Sequence, residues 1–249
     1  IGPFLGAALM HYMGLPGAYW IAIVAMLSSG LLAFTVPDLE DHPASKNAGA
    51  NMAPTLTNIA RHHWQIFLTL GFGILLVSGL RSARQIVIPL WADHLGLSPT
   101  ATPIIYGTVS AIDMLAFYPA GKAMDQHGRL SVAMPSVIIM GISLILIPIT
   151  DGLVSFVAVS MMIGLGNGIG SGIIMTLGAD ASPRIGRTQF LGIWRLIADV
   201  GASGAPALLS AVTALASLAS AVVATGLLGF IAAGVFWRWL PRTKPDRPH

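Results

Sequence analysis

The sequence predicts an all-α protein that crosses a membrane several times. Composition is the first reason: 55% of the 249 residues are hydrophobic and only 9% are charged, whereas about a quarter of the residues in a typical soluble domain carry charge. The second reason is the mean hydropathy of +0.77. The third is the recurrence of apolar runs close to the ~20 residues that cross the hydrocarbon core of a bilayer.

These apolar runs predict seven complete spans and one shorter piece. The shorter piece, residues 1–13, lacks the length to cross a bilayer by itself. We interpret residues 37–63, the only long polar stretch between spans, as a linker that follows the end of one half of a larger bundle (residues 1–36). Residues 64–238 then form a six-helix domain and residues 239–249 a tail. The complete spans cover approximately residues 17–36, 64–92, 101–121, 130–149, 152–177, 187–212 and 217–238.

The basic residues of the loops predict the topology. They all fall on one side of the membrane when the spans alternate in direction, and the opposite loops, around Asp93, Asp151 and Leu215, contain no Lys or Arg. Cytoplasmic loops carry the basic excess, so we expect the linker and the C-terminal tail to be cytoplasmic, in a multi-pass protein of the plasma membrane. Because the charges are dispersed among loops, the net charge of +3 does not indicate a nucleic-acid partner. The basic loop residues are Lys46, Arg61, Lys122, Arg129, Arg184, Arg187, Arg238, Arg242, Lys244 and Arg247.

The most specific motif lies between the spans 101–121 and 130–149. The polar stretch there reads Gly-Lys-Ala-Met-Asp-Gln-His-Gly-Arg, from residue 121 to residue 129. Its Gly121, Asp125, Gly128 and Arg129 resemble the G-x-x-x-D-x-x-G-R loop motif of the major facilitator superfamily, whereas Gln126 replaces the usual basic residue. We expect a tight turn at the membrane surface, with Asp125 near a helix N-terminus. The alternative is a generic basic turn between two helices.

A second stretch is similar to a motif of one branch of that superfamily. Gly2-Pro3-Phe4-Leu5-Gly6-Ala7 resembles the G-P-x-x-G-G sequence in the fifth helix of proton-coupled antiporters, with Ala7 in place of the last glycine. The alternative is an ordinary proline-kinked helix end. The resemblance implies the superfamily's fold, represented here by the six-helix C-terminal bundle, the sixth helix and part of the fifth. The N-terminal half of the same protein would then be its missing partner.

Ionisable residues inside the spans are the candidates for coupling, because a charge at mid-membrane costs about 2.5–3.5 kcal/mol even on translocon scales. Counted from the predicted basic ends of their spans, Asp113 and Arg195 each lie about 12 Å deep. Asp199 follows Arg195 by one helical turn and is expected to pair with it. Asp113, with no opposite charge on its own helix, is the candidate proton carrier. The alternative is a structural ion pair between Asp113 and Arg195.

The span that begins at residue 64 contributes two further charges. Arg81 and Arg84 lie about 25–30 Å from its start. They are assigned to a cavity, as an attraction for anions or as gate partners, with Trp91 marking the headgroup level beyond them. The alternative is snorkelling at the outer interface. Gln85 and Asn167 complete the cavity candidates.

Glycines recur in the span 152–177 with two helical periodicities. Gly164, Gly168 and Gly172 share one face, and Gly166 and Gly170 share another. Two small-residue seams for close helix packing are therefore predicted.

The predicted function is secondary transport of a small molecule by alternating access. The stretch Gly2–Ala7 favours proton-coupled efflux of drugs or other lipophilic compounds, and uptake of a metabolite is the alternative. No motif indicates catalysis, and we expect no cofactor and no metal, since the adjacent His62 and His63 lack a third ligand at metal-site spacing. An intramembrane enzyme that uses Asp113 and Asp199, or an inactive fragment, remains the alternative from another class.

Overall fold

The fold is described here from a computed structural model, in which residues 15–35, 55–98 and 100–240 are described. The proposed fifth-helix motif of Gly2, Pro3 and Gly6 lies outside these residues, as does most of the linker.

Within the described ranges every regular element is helical. Two helices precede the bundle, α1 (Leu15–Thr35) and the short α2 (Leu56–His62). The third helix, α3, runs over Trp64–His94 and contains a π-helical stretch at Phe67–Gly71. The remaining helices are α4 (Ala101–His127), α5 (Leu130–Leu146, extended by a 3-10 turn at Ile147–Ile149), α6 (Leu153–Ile169), α7 (Ile173–Ala181), α8 (Arg187–Leu215) and α9 (Leu218–Trp239).

Six spans in the described part of the chain are long and apolar enough to cross a membrane, which confirms the all-α membrane class. Five of them are single helices. The remaining span, Leu153–Ala181, is the fourth along the chain and consists of α6 and α7, which are separated by a turn at Gly170-Ser171-Gly172. We call it the interrupted span. The span limits agree closely with those expected from hydropathy, apart from the end of α4.

The six spans form two groups of packed helices. Helix α3 packs against α8 and α9, and α6 packs against α4 and α5, while α5 and α9 join the two groups. Phe156, Phe190 and Phe236 are fully buried between helices. At one end of the bundle Arg129 contacts Asp180, and we call this the basic end. At the opposite end Trp91 donates a hydrogen bond to Thr150.

The two glycine seams are confirmed except at Gly172, where an added Cβ atom would lie in ordinary contact, 3.6 Å from Met124. A Cβ atom built on Gly164 would lie 2.5 Å from the carbonyl oxygen of Val109 on α4, and one on Gly168 would collide with the carbonyl oxygen of Asp113. On the other face, Gly166 approaches Met140 of α5, and Gly170 approaches Ser136. Helix α6 therefore lies in backbone contact with α4 on one side and close to α5 on the other, which only glycine permits.

Two local expectations were wrong. The stretch Gly121–His127 is helical, because nothing in it stops the helix, and the turn is confined to the residues that follow. Gly128 adopts φ = 89°, a left-handed conformation that favours glycine. Trp91 does not lie in a lipid-facing belt: it is only 4% exposed, since its indole ring packs inside the bundle.

The glycine seam can be tested by adding one methyl group. Gly164→Ala should lower the free energy of unfolding by about 1–3 kcal/mol, because the new Cβ overpacks against the backbone of α4. Gly234→Ala on α9 is the matched control: its Cβ would meet no atom within 4 Å, so stability should stay equal or rise by up to about 1 kcal/mol. Denaturation of the purified protein in detergent measures both. Equal stability of the two variants would contradict close packing at Gly164.

Candidate transport site

A polar cluster joins three spans in the middle of the bundle. Arg84 of α3 donates from Nη2 to Oδ2 of Asp113 on α4 at 3.1 Å, which makes a salt bridge. The amide of Asn167 on α6 donates to the same carboxylate oxygen at 2.6 Å. The side chains of Arg84 and Asp113 are 10% and 19% exposed. One carboxylate therefore holds α3, α4 and α6 together.

The position of Asp113 corrects the depth expected for it. Helix α4 continues two turns beyond Gly121, so Asp113 lies 14 residues, or about 21 Å, from the helix end at His127. That depth puts it level with Arg84, ten residues or about 15 Å from the other end of α3. The ion pair between Asp113 and Arg195 is therefore not formed.

Arg195 pairs within its own helix, as its spacing predicts. Its Nε lies 3.0 Å from Oδ1 of Asp199, one turn further along α8. Both side chains are more than half exposed. The pair belongs to a face of α8 that no described helix covers, and it lies apart from the cluster at Asp113.

Arg81 lies beside the turn between α6 and α7 in the interrupted span. It donates from Nη2 to the carbonyl oxygen of Asn167 at 3.2 Å and from Nη1 to that of Ser171 at 3.4 Å. The end of α6 leaves carbonyl groups without partners of their own helix, and such an end carries a partial negative charge. The guanidinium group of Arg81 supplies hydrogen-bond donors to these carbonyl groups and a positive charge opposite the helix end. The cation thus stabilises a helix break inside the hydrocarbon region, where free carbonyl groups are costly.

The cluster carries an excess of positive charge. Arg81 interacts electrostatically with both Arg84 and Asp113, so two guanidinium groups share one carboxylate. Three nitrogen atoms are buried with no hydrogen-bond partner among the described residues: Arg81 Nε, Arg84 Nε and Arg84 Nη1. Gln85, the remaining cavity candidate, directly follows Arg84 on α3 and is exposed.

The loop motif forms a second polar contact, at the basic end. Arg129 donates from Nε to Oδ2 of Asp180, near the end of α7, at 2.8 Å. Its Nη1 lies 4.0 Å from Asp125, whose side chain is 81% exposed, and a Cβ atom added to Gly121 would meet no neighbour within 4 Å. Sequence reasoning missed Asp180, because it considered only Lys and Arg at the span ends. An acid on the same side as Arg129 was the available signal.

Two grooves lie away from the cluster. A groove of about 740 Å³ at the basic end is lined by α2 and the loop before α8, including Arg61, His62 and Arg184. A smaller groove of about 430 Å³ lies between α3 and α8, next to Pro206. Within the described part of the chain, no group of three His, Cys, Asp or Glu residues is placed to bind a metal.

Six membrane spans that surround a buried charge cluster are the architecture of a membrane transporter. A sequence model of the Major Facilitator Superfamily matches residues 1–205 and 70–249, which together cover the chain. The chain belongs to the Major Facilitator Superfamily, whose members are transporters and not enzymes. No curated protein matches the chain.

The ion pair in the cluster can be weighed against the exposed pair by two mutant cycles. Arg84→Gln or Asp113→Asn alone should destabilise the protein by about 3–5 kcal/mol, because each leaves a buried charge unpaired, and the double variant should recover part of that loss. The control cycle, Arg195→Gln with Asp199→Asn, should give a coupling of only about 0.3–0.5 kcal/mol. Denaturation in detergent of the parent protein and the six variants supplies the values for both cycles. Coupling energies of similar size in both cycles would show that Asp113 is not held as described.

The contact at the basic end can be tested by exchanging its charges. Asp180→Arg should impair assembly, because it opposes Arg129 with a like charge, and the double variant Arg129→Asp, Asp180→Arg should restore it in part. Fluorescence-detected size-exclusion chromatography reports the assembled fraction. The matched control is Arg129→Asp combined with Asp151→Arg, since Asp151 is exposed at the opposite end of the bundle. Rescue by this control would argue against a direct pair.

Proposed function

We propose that the chain works as part of a proton-coupled transporter in which this bundle rocks against a second bundle of the same protein. Alternating access in this fold type proceeds by such movement around a site near the membrane midplane. The observation that carries the proposal is the Arg84–Asp113–Asn167 cluster, near the middle of its spans. Polar groups at that depth are costly, so they are functional candidates by default.

Asp113 is the proposed proton carrier. As a carboxylate it accepts from both Arg84 and Asn167. Protonation removes the charge that attracts Arg84 and thereby loosens the junction of α3, α4 and α6. Breaking a buried pair costs about 3–5 kcal/mol, which is comparable to one elementary charge crossing a potential of 100–200 mV at about 2.3 kcal/mol per 100 mV. The proton gradient can therefore supply the energy for this step.

Export of drugs or other lipophilic compounds by antiport is the proposed direction, on the basis of the resemblance at Gly2, Pro3 and Gly6. We also propose that the basic end of the bundle faces the cytoplasm and that the membrane is the plasma membrane, because the loop charges follow the positive-inside pattern.

A second candidate is uptake by symport with a proton. The excess of guanidinium groups favours it. A proton on Asp113 makes the cluster more positive, so a bound proton and a bound anion stabilise each other there. Such reciprocal binding favours movement of both in the same direction.

Proton coupling can be measured in proteoliposomes that contain the full-length transporter and trapped pyranine, with the membrane potential clamped by potassium and valinomycin. Three naphthalene probes of one shape are added outside: naphthalene-2-sulfonate, naphthalene-2-sulfonamide and 2-naphthyltrimethylammonium. Entry of a transported probe should raise the lumenal pH for antiport and lower it for symport. In Asp113→Asn the pH change should disappear while probe exchange across the membrane continues, because the amide cannot take up a proton but keeps an oxygen that accepts from Arg84 and Asn167.

Asp151→Asn, at an exposed acid outside the spans, is the control and should keep the full pH response. A pH response in Asp113→Asn equal to that of the parent protein would dismiss Asp113 as the carrier. Absence of a pH response to every probe in the parent protein would refute proton coupling itself.

A further inference from the structure

We infer that Arg81 and Arg84 bind the anionic group of an amphipathic organic anion and that this anion is the transported substrate. The inference rests on the proposed transport function and names its substrate class. It starts from the three guanidinium nitrogens without partners among the described residues, two of which belong to Arg84.

Charge balance is the first argument. Asp113 neutralises one of two guanidinium groups, and the cluster keeps one positive charge in the middle of the membrane. An unbalanced buried charge is costly unless an opposite charge joins it. A carboxylate or sulfonate group provides that charge, and its oxygens accept charge-assisted hydrogen bonds from guanidinium N–H groups.

Donor capacity is the second argument. Arg84 uses only Nη2 on Asp113, while its Nε and Nη1 are buried with no partner in the described part of the chain. The residue is 8% exposed. A buried donor without an acceptor is destabilising, because it has lost its hydrogen bond to water. The Nε atom of Arg81 likewise has no partner in the described part of the chain, while its other two nitrogens donate to carbonyl oxygens at the turn between α6 and α7.

The surface beside Asp113 is the third argument, and it indicates the body of the ligand. Met114, Phe117 and Tyr118 follow Asp113 on α4 and are 80%, 54% and 80% exposed. Phe117 lies one helical turn from Asp113, on the same side of the helix. Methionine and aromatic side chains form adaptable apolar binding surfaces. An aromatic or long aliphatic body therefore fits next to the anionic group.

A carboxylate side chain from elsewhere in the protein is a second source of the anionic group that the arginines would bind. A side chain would occupy the arginines permanently and would exclude an added anion, whereas a substrate site is open to competition. Binding of matched ligands distinguishes the two sources.

The test measures equilibrium binding of the three naphthalene probes to the full-length transporter in nanodiscs. Naphthalene-2-sulfonate should bind at least about tenfold more tightly than the sulfonamide or the trimethylammonium probe, since a charge-assisted bond contributes about 1.5–3 kcal/mol. Arg81→Gln should lose most of this preference. Arg81→Lys, which keeps the charge but lacks the N–H group of Arg81 Nε, should lose part of it. Asp113→Asn should bind the sulfonate more tightly than the parent protein, because an internal competitor for Arg84 is gone.

Arg187→Gln is the control, at an exposed arginine on the first residue of α8, and its sulfonate preference should equal that of the parent. Equal binding of the three probes by the parent protein would overturn the inference. That result would leave proton coupling unaffected, because the lumenal pH reports it for a neutral or cationic probe as well.

Discussion

The hydrocarbon core of a membrane contains no water to solvate a buried charge, and the arrangement of this bundle follows from that constraint. Arg84 meets Asp113 at 3.1 Å, and Asn167 adds a hydrogen bond to the same oxygen. The three side chains come from three different spans, so the partner that each needs is provided by another helix. The packing of these three helices and the pairing of their buried charges therefore depend on each other.

Glycine makes the cluster possible. Gly168 lies directly against the backbone of Asp113, and Gly164 lies one turn away against Val109. Any side chain at these positions would push α6 away from α4. Asn167 would then lose its contact with Asp113, because an amide side chain reaches only a few ångström from its helix. The small-residue seam therefore sets the distance across which the polar contact forms.

Much of this organisation was predictable from the sequence. Span limits followed from hydropathy, and the two faces of glycine on α6 followed from a period of 3.6 residues. Asp113, Arg81, Arg84 and Asn167 could be singled out because polar residues are rare in such spans. That Arg84, and not Arg195, would meet Asp113 could not be predicted. The choice depends on the depth of Asp113, which changed by about 9 Å when α4 continued six residues beyond Gly121.

The position of the turn in the interrupted span could not be predicted from the sequence either. Five glycines at positions 164–172 indicate close packing, but the sequence does not say which of them interrupts the helix. That outcome is set by tertiary contacts, namely the hydrogen bonds from Arg81 to the carbonyl oxygens of Asn167 and Ser171. Arg81 is distant in sequence, and no local rule connects it to this turn.

The interrupted span has two parts with different attachments. Helix α6 is bound to α4 and α5 through its glycines. Helix α7 is attached to α8, where Trp194 donates to the carbonyl oxygen of Ile174 at 2.8 Å, and to the start of α5, where Asp180 pairs with Arg129. The turn at Gly170–Gly172 therefore separates two segments with different neighbours, and the hydrogen bonds from Arg81 to Asn167 and Ser171 fix the geometry of that turn.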